Sequence, residues 1–543
     1  MIFNNGNEKF NISKCFTDNM VIQRDDVIRI WGKAGTEYES AEVFASFKGL
    51  FGKTKIKNGK WLITLNGTLP ASSEPSTLTV TSPDGTEFSF NDILVGDLYM
   101  VIGQSNIRYP LEALTVSAPK GYHGHDMQID ESAHIRLNLS SIHDADGNDI
   151  YPTRGTTELC DDIRNDRGWK KPSEGAMEFS ALGYLTAEKI IKETDNKIPI
   201  GLIEIDADGQ SINDFLPNEV AEALGTDTLI DGVYKGMFHI DMQPTRFVYN
   251  HFIYPWQNMP ISGIIWYQGE SDFNEVNMPV FAQNYAAFMT EFRRRFNLNH
   301  EIPVYMVEIP SCYLPPNDWP AGAIWAYIDF GMVRAEMGRI PNLIPETYIA
   351  PSSDLWLDRD YWNSLHPYCK WGQSQRIADL ILATKYGIYT LDNVAAPQAK
   401  QVTYDNRKVL IKYIYTGGEL ISATSELNGF EVKTADGIWH KAKAYFIADD
   451  TVEVIMKPQI KVEKPFDGNN HLTEEYSTEE IFGVRYCAVT DYSFPRNVNL
   501  ASYTKVPAVA FVDEKDKDCN SRKKAGITSV EGADTKDIMD SAK

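Results

Sequence analysis

The sequence predicts an α/β protein, a doubly wound parallel sheet flanked by an N-terminal and a C-terminal β-sandwich domain. Three observations predict this class. In the middle of the chain, short apolar runs such as DLYMVIG, KIPIGLIEID and ISGIIWY alternate with helix-period segments such as FSALGYLTAEKIIKET. Shorter alternating runs, separated by turn residues, precede and follow this part. The chain has 543 residues, which is too long for one hydrophobic core.

Residues 1–95 are predicted to form the N-terminal β domain. The runs VIRIWGKAG, AEVFASF, GKWLITLNG and STLTVTSPDG have the length and residue types of strands, and Gly, Pro, Asp and Asn separate them. No helix-period segment interrupts these runs. An antiparallel sandwich is therefore expected here.

Residues 96–393 are predicted to form the central α/β domain. Apolar runs of four to eight residues bounded by helices are typical of parallel strands that are buried on both faces. In such sheets, functional residues lie at the carboxyl ends of the strands. The segments GQSN, DADGQS and YQGES each follow such a run, as does the loop that carries His366.

The chain returns to a strand pattern over residues 394–512, which are predicted to form the C-terminal β-sandwich domain. RKVLIKYIYTGG, GFEVKTADG and DTVEVIMKP alternate and turn as sandwich strands do. Residues 513–543 are polar and almost free of apolar runs, so a solvated tail is expected there.

Composition excludes several classes of partner. The formal net charge of −23 opposes binding to nucleic acid or to an anionic membrane surface. The sequence contains no run of 18 apolar residues, so no transmembrane helix is expected. The N-terminus lacks the pattern of a leader peptide. We expect a cytoplasmic protein if this is the full chain, and a periplasmic or extracellular one if a leader was removed. The six cysteines show no metal-ligand spacing, and oligomeric state is left open.

Two residues form a candidate nucleophile and base. Ser105 ends an apolar strand in VIGQSN, where its hydroxyl can project into a crevice and its backbone N–H can face an oxyanion. Serine is a weak nucleophile and needs a base. His366 stands before Pro367, which restricts the histidine to extended conformations on a loop above the sheet. Neither residue is informative alone, but the pair in this fold predicts nucleophilic catalysis.

Two further segments supply candidate supporting groups. In WYQGESD, Gln268 offers amide donors for an oxyanion, and Glu270 can orient a histidine or bind a substrate hydroxyl. In DADGQS, Gly209 has no side chain, so its N–H can approach a substrate closely.

These motifs resemble those of a known family. GQSN, WYQGES and LHP occur in this order, together with CFTDNMVIQRDDVIRIWGKAG, FSALGY, IPIGLIEIDADGQSINDFLP and GFEVKTADG. Over about residues 15–512 the chain resembles the sialate O-acetylesterase family of SGNH-type serine hydrolases.

The resemblance implies a function and a set of roles. Ser105 attacks an acetyl carbonyl, and His366 takes the serine proton and returns it to the departing sugar hydroxyl. The N–H groups of Ser105 and Gly209 and the side chain of Gln268 form the oxyanion hole. The implied substrate is an O-acetylated sialic acid or related sugar, and no metal or cofactor is implied.

Three departures from the family pattern affect the site. Ile107 and Arg108 follow Asn106, and Asp208 and Gln210 flank Gly209 where the family carries another glycine and a threonine. Asn363 and Ser364 occupy the positions before His366 at which related hydrolases carry an aspartate. The triad acid must then come from elsewhere.

We favour Asp354 as the acid because it ends a strand-like run. Asp358, Asp360 and Glu270 are alternatives.

Substrate selection is assigned to two residues beside the nucleophile. Arg108 can pair bidentately with a sugar carboxylate, with Asn106 as a second substrate-binding residue. The alternative for Arg108 is a surface ion pair. Two other functions stay open for the chain: an O-acetylesterase acting on acetyl-xylan or another polysaccharide, and a degenerate, non-catalytic glycan-binding protein.

Overall fold

The computed structural model describes twelve segments of the chain. They are residues 9–118, 120–122, 124–140, 158–163, 167–226, 246–272, 277–296, 301–310, 330–355, 365–463, 471–488 and 498–515.

The N-terminal part consists of strands in two sheets that pack face to face. One sheet has the order β1-β3-β6, and β4, β5, β7 and the first half of β8 form the other. The Phe10 ring stacks on Trp61 of the first sheet and on Phe88 of the second. The strands are β1 (Phe10–Ile12), β2 (Val21–Gln23), β3 (Arg29–Ala34), β4 (Glu42–Phe47), β5 (Leu50–Lys55), β6 (Lys60–Thr64), β7 (Ser72–Thr81) and β8 (Glu87–Gly103).

The central sheet has the strand order β10-β9-β11-β8-β12-β13-β14. The six strands from β9 to β14 in this order run parallel, and β10 pairs antiparallel with β9 at the edge. Strand β8 lies between β11 and β12, so the order reverses direction beside it. The added strands are β9 (Ile135–Leu139), β10 (Trp169–Lys170), β11 (Ile200–Asp206), β12 (Gly263–Tyr267), β13 (Val304–Val307) and β14 (Thr347–Ala350).

Both faces of the central sheet are buried under helices. On β8, Tyr99 and Val101 join a core with Leu185 of α4 and Ile381 of α9. Met100 and Ile102 face the opposite way, into a core that α6 covers and that continues into the N-terminal sheets. The helices are α1 (Ser105–Arg108), α2 (Leu111–Ser117), α3 (Pro172–Gly175), α4 (Ala181–Glu193), α5 (Asn218–Leu224), α6 (Phe281–Arg295), α7 (Gly331–Met337), α8 (Ile340–Leu343), α9 (Lys370–Thr384) and α10 (Leu391–Val394). The predicted α/β class is confirmed.

The C-terminal part is built on an antiparallel sheet of order β15-β16-β20-β19-β18-β23-β25. A separate pair, β17 with β24, adds Leu420 and Leu500 to the same core. The strands are β15 (Gln398–Asp405), β16 (Lys408–Ile414), β17 (Leu420–Ser422), β18 (Phe430–Lys433), β19 (Trp439–Ala448), β20 (Thr451–Met456), β21 (Gln459–Glu463), β22 (His471–Glu475), β23 (Gly483–Tyr486), β24 (Leu500–Ser502) and β25 (Phe511–Glu514).

Two strands run across predicted domain boundaries. The one after residue 95 falls inside β8, a single 17-residue strand that pairs with β7 in its first half and with β11 and β12 in its second. The polar tail was predicted to begin at residue 513, but Asp513 and Glu514 pair with β23. Phe511 and Val512 end a buried apolar run, and the partly exposed Asp513 and Glu514 continue their strand at the sheet edge. Residues 516–543 lie outside the described residues.

Candidate active site

Three strands of the central sheet end at the same level. Gly103 of β8 is in register with Asp206 of β11 on one side and with Tyr267 of β12 on the other. Ser105, Gly209 and Gln268 follow these three ends within three residues. The sequence therefore predicted correctly that these segments lie along one edge of the sheet, at the point where the strand order reverses and crevices form.

The turn that carries Ser105 needs a close approach of two backbones. A Cβ atom on Gly103 would lie 2.1 Å from the Tyr267 carbonyl oxygen, so only glycine fits between the two strand ends. The chain then bends at Gln104 into α1, whose first residue is Ser105. Ser105 is partly exposed.

Two backbone N–H groups at these strand ends are available to a ligand. Within the described residues, no hydrogen-bond acceptor lies on the N–H of Ser105 or of Gly209. Gly209 has a φ of +68°, which a glycine adopts without strain, and it is half-buried like Ser105. Uncommitted N–H groups beside a half-exposed serine hydroxyl suit a developing oxyanion.

The Asn106 side chain is a buried connector. Its Nδ2 donates to Glu270 Oε1 at 2.5 Å and to the Leu365 carbonyl at 2.9 Å, and its Oδ1 accepts from Lys370 Nζ at 2.7 Å. The residue is 1% exposed. Asn106 as a substrate-binding residue stays a prediction, and a contact with substrate would require it to exchange one of these partners.

Glu270 belongs to the same buried group rather than to His366. Its carboxyl lies against the Asn106 amide, and burial raises its pKa to about 7 despite the hydrogen bond from Asn106 and the charge of Lys370. Lys370 is fully buried, and burial lowers its pKa to about 8 while Glu270 opposes that shift. Among the described residues, the side-chain hydrogen bond to the Glu270 carboxyl comes from Asn106, so an orienting role toward His366 stays a prediction.

His366 is half-buried on the loop that the Asn106 amide contacts. Burial and, second, the positive charge of Lys370 lower its pKa to about 4, while the charge of Asp208 acts in the opposite direction. The imidazole is therefore neutral at physiological pH. A neutral imidazole is the form that can accept a proton from serine.

Asp354 does not have the contacts expected of a triad acid. Its two carboxylate oxygens accept from Arg376 Nη1 at 2.7 Å and Nη2 at 2.6 Å, in a bidentate ion pair. Among the described carboxylates, Asp208 is the one whose charge acts on His366. Asp354 as the triad acid therefore stays a prediction, and in this geometry it would have to give up a bond to Arg376. Asp358 and Asp360 lie outside the described residues.

Gln268 is fully buried and its amide donors are engaged. Nε2 donates to the Gln210 carbonyl at 3.1 Å and to Asp272 Oδ2 at 2.5 Å. Burial raises the pKa of Asp272 to about 7. In this geometry Gln268 fixes the turn that contains Gly209, and an oxyanion contact from its side chain would require it to exchange one of these partners.

The Arg108 side chain, three residues after Ser105, is 39% exposed. Its Nη1 is paired with the Asp208 carboxylate, and its Nε lies 3.8 Å from Asp206 Oδ2. The ion pair considered as the alternative in the sequence is therefore present, and a substrate carboxylate would share the guanidinium with Asp208.

Sequence reasoning missed Lys370 and Asp272. Both are ionisable residues in a helix or turn whose sequence predicts an exposed, polar surface. A signal existed for Lys370, since it follows His366 by four residues at the start of an amphipathic helix. Nothing in the sequence shows that its ammonium turns inward.

Comparisons with known proteins bear on the same segments. Residues 161–362 match the sequence model of the family described as carbohydrate esterase, sialic acid-specific acetylesterase. The sialate O-acetylesterase of Rattus norvegicus is 24% identical over 370 residues, and that of Homo sapiens is 25% identical over 314. The resemblance to the sialate O-acetylesterase family is confirmed.

The matches cover part of each protein. The aligned regions are 60% of this chain and 63% of the rat sialate O-acetylesterase, and 55% of this chain and of the human one. Ser105 and His366 lie outside the residues that match the family model, whereas Gly209, Gln268 and Glu270 lie within them.

One solved structure resembles nearly the whole fold. A carbohydrate acetylesterase from Xanthomonas citri superposes with a TM-score of 0.68 at 23% identity, covering 93% of this chain and 99% of that one. The arrangement of a central α/β sheet with additional β-sheet regions is thus shared with that protein. No helix in the described part of this chain has the length and apolarity needed to span a membrane.

Proposed function

We propose that this protein is a serine esterase that removes O-acetyl groups from a sugar. The observation that carries the proposal is the division between accessible and buried groups at the strand ends. Ser105, Gly209 and His366 are partly exposed as residues, whereas Asn106, Gln268, Glu270 and Lys370 are buried. A partly exposed serine and histidine next to buried supporting groups suit preorganised catalysis.

The proposed reaction proceeds through an acetyl-enzyme. The Ser105 oxygen attacks the acetyl carbonyl while neutral His366 takes the hydroxyl proton. The N–H groups of Ser105 and Gly209 stabilise the tetrahedral oxyanion, which collapses as His366 returns its proton to the departing sugar hydroxyl. A water molecule, activated by His366, then hydrolyses the acetyl-enzyme to acetate.

The fold also supports a proposal about the type of catalytic domain. We propose that residues 96–393 form an SGNH-hydrolase-like domain flanked by β-sandwich domains. The parallel sheet with a serine after the central strand β8 and a histidine before the last long helix α9 supports this.

The proposed substrate class is an O-acetylated sialic acid. The match of residues 161–362 to sialic acid-specific acetylesterases supports it, and so does the partly exposed guanidinium of Arg108, three residues after Ser105. The pairing of Arg108 with Asp208 weakens the second argument, since a substrate carboxylate must compete with a neighbour that is always present.

Acetate release by the full chain tests the proposal. Purified protein is incubated with O-acetylated sialic acids, acetyl-xylan and a neutral chromogenic acetate, and the Ser105→Ala variant serves as the control for contaminating esterase. Turnover of any ester that depends on Ser105 supports the esterase, and the ranking identifies the substrate class. Binding of acetylated glycans without any turnover overturns the enzyme proposal in favour of a glycan-binding protein.

Arg108→Ala separates the substrate classes further. Loss of activity on the acidic sugar with unchanged activity on the neutral acetate, together with a salt-sensitive wild-type rate on the acidic sugar, assigns Arg108 to the substrate carboxylate. Equal activity of variant and wild type on both esters leaves Arg108 as an ion pair of Asp208, worth about 0–1 kcal/mol.

A further inference from the structure

The Lys370 side chain lies in a dry position between the two halves of the candidate site. It is the first residue of α9 and is 0% exposed. Its ammonium lies 5.0 Å from the ring centre of Tyr109 and 5.2 Å from that of Tyr267. Burying an ammonium is costly unless it is paired and hydrogen-bonded, so a lysine at such a place needs a reason.

Lys370 donates hydrogen bonds to the residue that follows Ser105 and to the residue that follows His366. Nζ donates to Asn106 Oδ1 at 2.7 Å, and Asn106 directly follows Ser105. Nζ also donates to the Pro367 carbonyl at 3.0 Å, and Pro367 directly follows His366. The Asn106 amide then donates to the Leu365 carbonyl, on the other side of His366. Two bonds thus tie both neighbours of the histidine to one point beside the serine.

We propose that Lys370, acting with Asn106, is a positioning residue that holds the His366 loop in register with the Ser105 turn. This inference rests on the proposed esterase function. Within the described residues, the loop has no strand pairing that could set its height above the sheet. An error of about 1 Å in such a placement can lower a rate about a hundredfold.

The charge of Lys370 is balanced from the opposite side of Asn106. Glu270 lies there, and its charge and that of Lys370 favour each other. Among the described residues, Glu270, Cys369, Tyr109 and Tyr267 face Lys370. The charges of Lys370 and Asp208 act on His366. The ammonium therefore disfavours protonation of His366, in addition to holding its loop.

The Lys370→Met variant tests the proposal. It removes the charge and both hydrogen bonds but keeps an apolar chain of similar length. Lys385→Met is the matched control, since it makes the same change in the residue that follows α9, at the far end from Ser105.

We expect kcat of Lys370→Met on a chromogenic acetate to fall about a hundredfold with KM little changed. We also expect the acid limb of its pH profile to move upward. Activity requires neutral His366, and removing a neighbouring positive charge raises the pKa at which the imidazole becomes protonated. A purely structural lysine would change the melting temperature without moving this limb.

A double variant covers the case in which Lys370→Met does not fold. Lys370→Met with Glu270→Gln leaves no unbalanced buried charge, so it is expected to fold. Its kcat should remain low because the bond to the Pro367 carbonyl is still missing. Wild-type kcat in the double variant would overturn the proposal, because balance of charge alone would then be sufficient.

An NMR titration of His366 keeps this inference distinct from the esterase proposal. With 13C-labelled histidine, and His366→Gln to assign the signal, the pKa of His366 is measured without any turnover. If the wild type hydrolyses no ester, the esterase proposal fails while an upward shift in Lys370→Met still supports the contact. If the wild type is active and Lys370→Met matches Lys385→Met in both kcat and His366 pKa, the positioning role is refuted.

Discussion

The Ser105 side and the His366 side of the candidate site are held by different kinds of structure. On the Ser105 side, the ladder of β8, β11 and β12 aligns Gly103, Asp206 and Tyr267, and the site begins where the ladder ends. On the His366 side, the described residues show two side-chain hydrogen bonds that hold the loop, from Asn106 and from Lys370 to loop carbonyls.

This difference indicates where each half is vulnerable. A ladder of backbone hydrogen bonds survives most substitutions because every residue contributes to it. A network of three buried side chains depends on each member, since in a low-dielectric surrounding an unpartnered group costs more than its bond contributed. We therefore expect a substitution in the strand ladder to be tolerated more readily than a substitution of one of the three networked side chains, Asn106, Glu270 and Lys370.

The largest effect is expected from Ser105→Ala, which removes the nucleophile and leaves both sets of supports intact. Turnover of a chromogenic acetate should fall on the order of a thousandfold or more. The melting temperature should be unchanged, because Ser105 is partly exposed and its hydroxyl makes no hydrogen bond within the described residues. Retention of more than about a tenth of the wild-type rate would remove Ser105 from the mechanism.

Gln268→Ala is the next largest and probes the strand-end side. Losing the bond to the Gln210 carbonyl frees the turn that carries the Gly209 N–H, and a lost oxyanion donor costs about a hundredfold in kcat. Steady-state kinetics should show this loss with KM nearly constant.

The control for this prediction is Gln23→Ala. Gln23 is a buried glutamine at the opposite end of the same sheet, bonded to Asp97 and to the Leu98 N–H. Gln23→Ala should lower the melting temperature about as much as Gln268→Ala does, but it should leave kcat unchanged. A KM effect alone in Gln268→Ala would instead indicate that Gln268 contributes to ground-state binding.

The pH profile sharpens the His366 side. Because burial and Lys370 lower the pKa of His366 to about 4, the base stays neutral at pH values at which an ordinary histidine is protonated. We therefore expect kcat/KM to persist as the pH falls through 6 and to decline only near pH 4. A decline centred near 6.5 would show that His366 is solvated or held by an acid in the free enzyme.

The smallest effect is expected from Asp354→Asn. Both oxygens of Asp354 are engaged by Arg376, and an ion pair of this partly exposed kind contributes about 0–1 kcal/mol to stability. Activity should change less than about tenfold, and Arg376→Gln should give a matching melting temperature. A loss beyond about a thousandfold in Asp354→Asn alone would restore Asp354 as the partner of His366.

The fold was predictable wherever the pattern is set by burial. The apolar runs around Met100, Ile203 and Ile265 are buried on both sides, so their sequence shows a parallel sheet directly. The sequence did not show that β8 runs across residue 95, because β8 changes neighbours without changing its own pattern. Asp513 and Glu514 were assigned to the tail because they occupy a half-exposed edge, where polar residues are tolerated.

The site was predictable only in part. The sequence showed that Ser105, Gly209 and Gln268 each follow a strand, because a strand and the residues after it are neighbours along the chain. The partners of Asp354 and Asn106 were not predictable, because a carboxylate or an amide has no sequence signature for which of several distant groups it bonds. The 264 residues that separate Asn106 from Lys370 show how far apart along the chain such partners lie.

Strand β8 also has a mechanical consequence. At about 3.3 Å per residue its 17 residues span roughly 55 Å, from the N-terminal sheets to a point two residues before Ser105. One continuous backbone therefore belongs to two sheets, and neither can unfold without stripping hydrogen bonds from the other. Cutting the chain at residue 95 would not release a module. We expect the two fragments to be insoluble when expressed separately, and to regain activity when they are refolded together.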